Sequence, residues 1–322
     1  MTEAPRILIH NDDTATLMRR LKAACPDARV EGCETYADMP DHLASFRPDI
    51  VYSVRFTGTT GYPRAALFGE NGPHWIANGG AGTDHFGQWD PARVTVTNAA
   101  GVAADMMAEY VMGGFLHFTL DVPGLNADKR ARQWAARTVR PLKGQTLLIV
   151  GLGHTGQAIA ARAKAFGMRV VGTRARPEQM ENVDEVHTAE ALPTVLPEAD
   201  FIAVSTPLIA QTRGMLGPDA FAAMKRGVVL ADVSRGGVIE PAALLAAMQD
   251  GTVAGAALDV FVTEPLPSES PFWTLENAII SPHCSSVFDG WADASFDLFL
   301  TNLARWRTGQ ELFNVVDPAR GY

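Results

Sequence analysis

Cysteine is scarce in this chain of 322 residues: Cys25, Cys33 and Cys284 are the only three. They show no metal-ligand spacing, so no metal is expected. A small, odd number of thiols points to a reducing, cytoplasmic setting rather than a disulfide framework. Long apolar runs are lacking too. None reaches the roughly 20 residues that cross a bilayer, and the N-terminus enters R-I-L-I-H without a signal-peptide pattern. No membrane partner is therefore expected. Positive charge is in deficit, with 27 Lys and Arg against 36 Asp and Glu and a net charge of -9. That balance argues against a nucleic-acid surface, although local arginines can still set the field in an anion-binding cleft. Repeats and low-complexity segments are absent. What remains is a globular composition, 47% hydrophobic and 20% charged, in a chain long enough for two cores.

The stretch T-L-L-I-V-G-L-G-H-T-G, residues 146–156, organises the rest. Its apolar run reads as a buried parallel strand. Gly151, Gly153 and Gly156 follow at G-x-G-x-x-G spacing, and a helix-forming run ends at Gly167. Strand, glycine turn and helix in this order form a dinucleotide-binding fingerprint. The first glycine permits the turn, the second admits a pyrophosphate, and the third allows close packing. The helix N-terminus offers free N–H groups to the phosphates. The next strand, Arg169 to Thr173, lacks the acid expected about 20 residues after the glycines to take a ribose hydroxyl. Arg174 and Arg176 stand there instead, beside Thr173. Two guanidinium groups suit a 2′-phosphate, which sets the expectation of NADP(H) over NAD(H). The plainer alternative is a pair of solvated surface arginines.

Along the chain, strands are expected at 6–10, 49–54, 75–78 and 94–97, and a helix at 12–25 with Leu17, Leu21 and Ala24 on one face. Strands alternating with helices imply a parallel sheet. A mostly apolar helix at 103–120 reads either as an element packing between domains and subunits or as a plain core helix. Further strands are expected at 201–204, 228–232, 254–258 and 278–280, and a final helix at 288–306 returns to the first domain. The boundaries that follow are 1–99 with 288–322 for one domain and 100–287 for the dinucleotide domain.

Ligands of open α/β sheets bind at the carboxyl ends of strands, and three ionisable groups fall at such ends: Arg235, Glu264 and His283. A guanidinium binds a substrate carboxylate and polarises the neighbouring carbonyl. An imidazole exchanges protons near neutrality, and a carboxylate on its other nitrogen favours the charged form. Each alone has a plain alternative: a surface ion pair, a satisfied loop histidine, a solvated acid. Together they suit reduction of a 2-keto acid. Arg55, after an early strand, is either a second substrate contact or a surface ion pair.

With these residues in view, the chain resembles the D-isomer-specific 2-hydroxyacid dehydrogenases, the group that includes glyoxylate/hydroxypyruvate reductases. The resemblance rests on G-L-G-H-T-G (151–156), M-K-R-G (224–227), S-R-G-G (234–237), G-A-A-L-D-V-F (255–261), E-P-L-P (264–267) and S-P-H (281–283), and runs from about Asp49 to the C-terminus. It implies two doubly wound α/β domains with parallel sheets, a Rossmann nucleotide domain inserted into a flavodoxin-like substrate domain, and a homodimer. It also implies roles. Arg235 matches the substrate arginine, His283 the general acid/base and Glu264 its paired carboxylate. Ala81 and Gly82 match the loop whose amides grip the substrate carboxylate. Asp259 matches the acid that holds the nicotinamide carboxamide, and Thr206 and Pro207 the turn under the adenosine. The cofactor site implied runs on through His154, Thr155, Thr212, Val233 and Ser234.

Three departures stand out. Arg174 replaces the ribose acid, Asp232 stands where asparagine is common, and Cys284 and Ser285 follow the histidine where apolar residues are common. No regulatory domain is seen after the last helix, which points away from a feedback-regulated phosphoglycerate dehydrogenase. The activity expected is NADPH-dependent reduction of a small 2-keto acid such as glyoxylate or hydroxypyruvate, with NAD(H) as a possible second cofactor. The alternative is a non-catalytic dinucleotide sensor that binds protein partners. A sensor has no use for a proton donor, so Arg235, Glu264 and His283 weigh for the enzyme.

Overall fold

The structure, a computed structural model, describes residues 4–54 and 61–321. The chain divides into two compact units, Met1–Val102 with Asp289–Tyr322, and Ala103–Phe288. Each is built on its own parallel sheet.

The first unit begins with β1 (Arg6–His10), α1 (Thr14–Ala24), β2 (Arg29–Cys33), α2 (Met39–Phe46), β3 (Ile50–Ser53), α3 (Arg64–Leu67), β4 (Trp75–Asn78) and β5 (Thr95–Thr97). Its strand order, β2-β1-β3-β4-β5, is the flavodoxin-like order. Ile7, Leu8 and Ile9 are fully buried, as a strand covered on both faces must be. Asp13 starts α1 by accepting from the Thr16 amide at 3.1 Å. Leu17 and Leu21 face inward, but Ala24, expected on that face, is exposed. It is the last helical residue, and Cys25 takes the inner place one position on. β2 was not anticipated: as an edge strand of sequence R-V-E-G-C it carries no apolar run.

The second unit holds α4 (Ala104–Thr119), α5 (Val122–Ala131), β6 (Thr146–Val150), α6 (His154–Ala165), β7 (Arg169–Thr173), β8 (Glu185–His187), α7 (Leu192–Val195), β9 (Phe201–Val204), α8 (Pro218–Ala223), β10 (Val228–Asp232), α9 (Pro241–Asp250), β11 (Val253–Leu258) and β12 (Ala278–Ile280). The order β12-β11-β10-β9-β6-β7-β8 is the Rossmann arrangement with β12 added at one edge. The order reverses between β6 and β9, which makes that gap the ligand crevice. α4 lies in the core of this unit, with Val111 and Phe115 fully buried. It comes close to β11. A Cβ added at Gly114 would lie 2.7 Å from Cβ of Ala257, and one at Gly255 would meet the Phe118 ring at 2.5 Å. The small residues of G-A-A-L-D-V-F make room for this helix.

The chain then returns to the first unit as α10 (Trp291–Arg307). Phe296, Phe299 and Leu303 pack with Tyr52 and Trp75 in one apolar cluster. The C-terminal segment pairs with β5, the Val316 amide donating to Val96 O at 2.8 Å. Among the described residues, no helix is long and apolar enough to cross a membrane.

Candidate active site

The glycine turn sits at the crevice between β6 and β9. Gly151 has φ +105, a region in which a side chain is strained. The amides of Gly151 and Leu152 donate to Thr173 O at 3.2 and 2.9 Å, tying the turn to the end of β7. Ser205 Oγ donates to Gly151 O at 2.8 Å. A Cβ at Gly151 would lie 2.8 Å from the Thr206 backbone, and one at Gly156 would lie 2.1 Å from Gly151 O. At Gly153 a Cβ would meet nothing within 4 Å. The backbone that begins α6 is therefore open, and its first amides, from His154 onward, have no intrahelical acceptor. An open, glycine-lined turn at a helix N-terminus fits a pyrophosphate.

Neighbouring residues shape this turn. Thr155 Oγ1 lies 3.7 Å from Met107 Sδ, both residues being half-buried. Thr212 Oγ1 donates to Pro207 O at 2.6 Å and accepts from the Ile209 amide at 2.9 Å, so it folds the loop that carries Thr206 and Pro207. Val233 and Ser234 are buried. Beyond β7, the Arg174 amide donates to His187 O at 3.0 Å. The Arg174 guanidinium is paired with Glu178 at 2.5 Å, while Arg176 is exposed.

Glu264 and His283 meet directly, His283 Nδ1 lying 2.8 Å from Glu264 Oε2. Glu264 Oε1 accepts from the Phe261 amide, also at 2.8 Å. Burial pushes this carboxyl up. The hydrogen bonds from His283 and Phe261, with the charges of His283 and Arg235, outweigh burial and leave it below its ordinary value. Glu264 is thus ionised at neutral pH, so Nδ1 of His283 carries the proton between them and Nε2 is the atom left to exchange one. Arg235 follows β10, half-buried, with Nη1 donating to Ser234 O at 2.7 Å. The next residue explains how the loops approach: a Cβ at Gly236 would lie 2.0 Å from Phe261 O.

His283 has φ +52, unusual for a residue with a side chain. Asp259 holds it there. The His283 amide donates to Asp259 O at 2.9 Å. The Asp259 carboxylate accepts from Ser281 Oγ at 2.6 Å, the Cys284 amide at 2.8 Å, the Ser285 amide at 3.0 Å and the Ser285 hydroxyl. Tyr110 of α4 completes the chain, its hydroxyl 2.7 Å from Ser281 Oγ. Burial pushes that phenol up to about 12. Tyr110 was given no role from the sequence, and Ser281 entered only as part of S-P-H. The one signal was a tyrosine hydroxyl in an otherwise apolar helix, which needs a partner when buried. Asp232 is also buried. Burial raises its carboxyl to about 7, against bonds from the Ser234 hydroxyl and amide at 2.5 and 3.0 Å.

In the first unit, Ala81 and Gly82 lie in the loop after β4. Asn78 Nδ2 donates to Gly80 O and Gly82 O at 2.8 and 2.9 Å, and Asn98 Nδ2 to Ala81 O at 2.8 Å. With the carbonyls held this way, the amides of Ala81 and Gly82 have no acceptor among the described residues. Arg55 lies outside the described residues. The strand order of this unit reverses between β1 and β3, where His10 Nδ1 lies 3.0 Å from Ser53 Oγ.

The family described as "D-isomer specific 2-hydroxyacid dehydrogenase, NAD binding domain" matches residues 112–285, more than half of the chain. This chain belongs to the D-isomer specific 2-hydroxyacid dehydrogenases. Among relatives of this dehydrogenase, the glyoxylate reductase of Thermococcus litoralis is 34% identical over 235 residues, 70% of each chain. The D-3-phosphoglycerate dehydrogenase of Methanocaldococcus jannaschii is 31% identical over 227 residues, 70% of this chain and 43% of that one. A crystal structure of the NADPH-dependent glyoxylate/hydroxypyruvate reductase of Sinorhizobium meliloti, in complex with NADP and sulfate, superposes with a TM-score of 0.84 at 25% identity. It covers 99% of this chain and 100% of that one. The dehydrogenase shares with such structures a two-domain α/β fold with parallel sheets.

Proposed function

We propose that this dehydrogenase reduces a small 2-keto acid of the glyoxylate or hydroxypyruvate class, using NADPH in preference to NADH. The observation that carries the reading is the 2.8 Å contact between His283 Nδ1 and Glu264, in the unit that also carries the glycine turn and Arg235. The named activities of the Thermococcus and Sinorhizobium relatives support the substrate class. Arg174 and Arg176 in place of a ribose acid support the cofactor preference. In this reading residues 100–287 form the nucleotide domain, and 1–99 with 288–322 the substrate domain.

When bound, NADPH supplies the hydride that the keto carbon accepts. His283, protonated on both nitrogens, donates from Nε2 to the keto oxygen, while Glu264 keeps the ring oriented through Nδ1. Arg235 binds the substrate carboxylate and stabilises negative charge developing on the neighbouring oxygen. In the first unit, the amides of Ala81 and Gly82 are donors suited to a substrate carboxylate. Thr206 and Pro207 would hold the adenosine, and Arg174 and Arg176 the 2′-phosphate. Asp259 and Ser285 hold the backbone on either side of the His283 ring. The assembly is a homodimer. Loss of reduced-nicotinamide absorbance across a panel of 2-keto acids tests the reading. Turnover of none of the small 2-keto acids with either cofactor overturns it.

A further inference from the structure

We propose that Glu178 is a specificity-determining residue: its carboxylate competes with the 2′-phosphate of NADP(H) for the Arg174 guanidinium, and so limits how strongly the site prefers NADP(H). The proposal rests on the reading of Arg174 as the phosphate contact. The acid that is missing at the end of β7 returns four residues later, and the fold brings it back onto the arginine that replaced it.

Arg174 begins beside the glycine turn, because Thr173 O accepts from both Gly151 and Leu152, and its own amide is bonded to His187 in β8. Its base is therefore fixed. The guanidinium meets Glu178 Oε1 at 2.5 Å and Met180 Sδ at 3.4 Å. The segment that carries Glu178 is anchored independently of that ion pair. Met180 packs against the apolar cluster under β7, and Val183 is buried in it. Gln179 Nε2 donates to Val183 O at 3.3 Å, and the Asp184 carboxylate accepts from the Val170 amide at 2.7 Å. Glu178 is thus held opposite Arg174 by the path of the backbone.

The pair is unequal in exposure, 29% for the Arg174 side chain and 68% for Glu178. Such a pair is weak, so a phosphate ester of nearly two negative charges displaces the carboxylate from Arg174. Displacement leaves a carboxylate beside the incoming phosphate, and like charges repel. Both effects lower affinity for the phosphorylated cofactor and leave the unphosphorylated one almost untouched. Glutamine at 178 keeps the volume and removes the charge.

The test is calorimetric binding of adenosine 2′,5′-bisphosphate and of 5′-AMP to the whole protein at low salt. Glu178→Gln is expected to tighten the bisphosphate by about two- to fivefold, the scale of an exposed ion pair, and to change 5′-AMP by less than about twofold. The gain should vanish in an Arg174→Ala background and shrink as salt is added. Wild-type protein that prefers the bisphosphate, with Glu178→Gln binding it no more tightly, overturns this proposal alone. Wild-type protein with no preference between the two nucleotides overturns the reading of Arg174, and this proposal with it.

Discussion

Asp259 and Ser285 are bonded twice: one carboxylate oxygen of the aspartate accepts from both the amide and the hydroxyl of the serine. The other oxygen accepts from Ser281 and the Cys284 amide, so the aspartate clamps the loop on both sides of His283. Ser285 is one of the two residues, with Cys284, that depart from an apolar pattern after the histidine, and the clamp is its physical reason. Ser285→Ala removes one donor from a buried carboxylate, a loss of about 1–3 kcal/mol. The unfolding midpoint should fall, and turnover should fall with it because His283 loses its fixed position. Unchanged stability and turnover in that variant would mean that the second bond holds nothing in place.

His283→Ala should cut turnover by about 10²–10⁴-fold, the usual share of general acid catalysis, with NADPH binding retained. Glu264→Gln should lower turnover by less, because the amide can still hydrogen-bond Nδ1. Arg235→Ala should raise KM as well as lower kcat, since it acts on bound substrate and on the transition state. Steady-state kinetics with glyoxylate and hydroxypyruvate check all three, and near-wild-type turnover without His283 would remove the proton donor from the scheme.

Arg174→Asp should weaken NADPH and relatively favour NADH, because a carboxylate repels the 2′-phosphate and suits a ribose hydroxyl. The ratio of kcat/KM for the two cofactors is the measurement. A wild-type ratio near unity would show that Arg174 and Arg176 do not form the phosphate site.

Asp232 carries a pH signature. Its carboxyl moves from an ordinary 3.8 to about 7 in the folded protein, chiefly through burial. Between those values the native state holds a proton that the unfolded chain has lost, so stability falls as pH rises through this window and levels off above it. Asp232→Asn has no proton to lose. Its stability relative to wild type should therefore rise between about pH 5 and about pH 8, by on the order of 1–4 kcal/mol. Thermal or denaturant melts at the two pH values decide. A difference that is constant or reversed would show that the buried carboxyl titrates in its ordinary range.

The proposed dimer has a surface to examine. Trp134 is fully exposed in the segment after α5, and Leu125 and Val139 are about half exposed. A groove of about 510 Å³ is lined by Val139 with Leu116, Leu120 and Phe166, and by Arg140 and Lys143. Apolar surface is where the proposed partner would pack. Light scattering at micromolar concentration should give twice the 34.6 kDa chain mass, and Trp134→Ala should shift it toward the monomer. A wild-type mass of one chain would overturn the dimer.

The residue types and their spacing determined a good deal of this protein. β6 and β10, buried on both faces, read as apolar runs, and Gly151, Gly153 and Gly156 marked the turn from β6 into α6. Arg235, Glu264 and His283 were legible as the proposed catalytic group because each follows the end of a parallel strand. Periodicity reports burial, however, and it is silent where burial is partial. β2 and β8 are edge strands, covered on fewer sides, and their sequences R-V-E-G-C and E-V-H carry no apolar signal. The bonds that position the site were equally hidden. Tyr110 reaches Ser281 across 171 residues, and Asp259 reaches Ser285 across 26. Glu178 meets Arg174 at helical spacing in a segment that is not helical. A hydrogen bond needs its two atoms within about 3 Å, and only the folded path of the backbone decides which distant polar groups come that close.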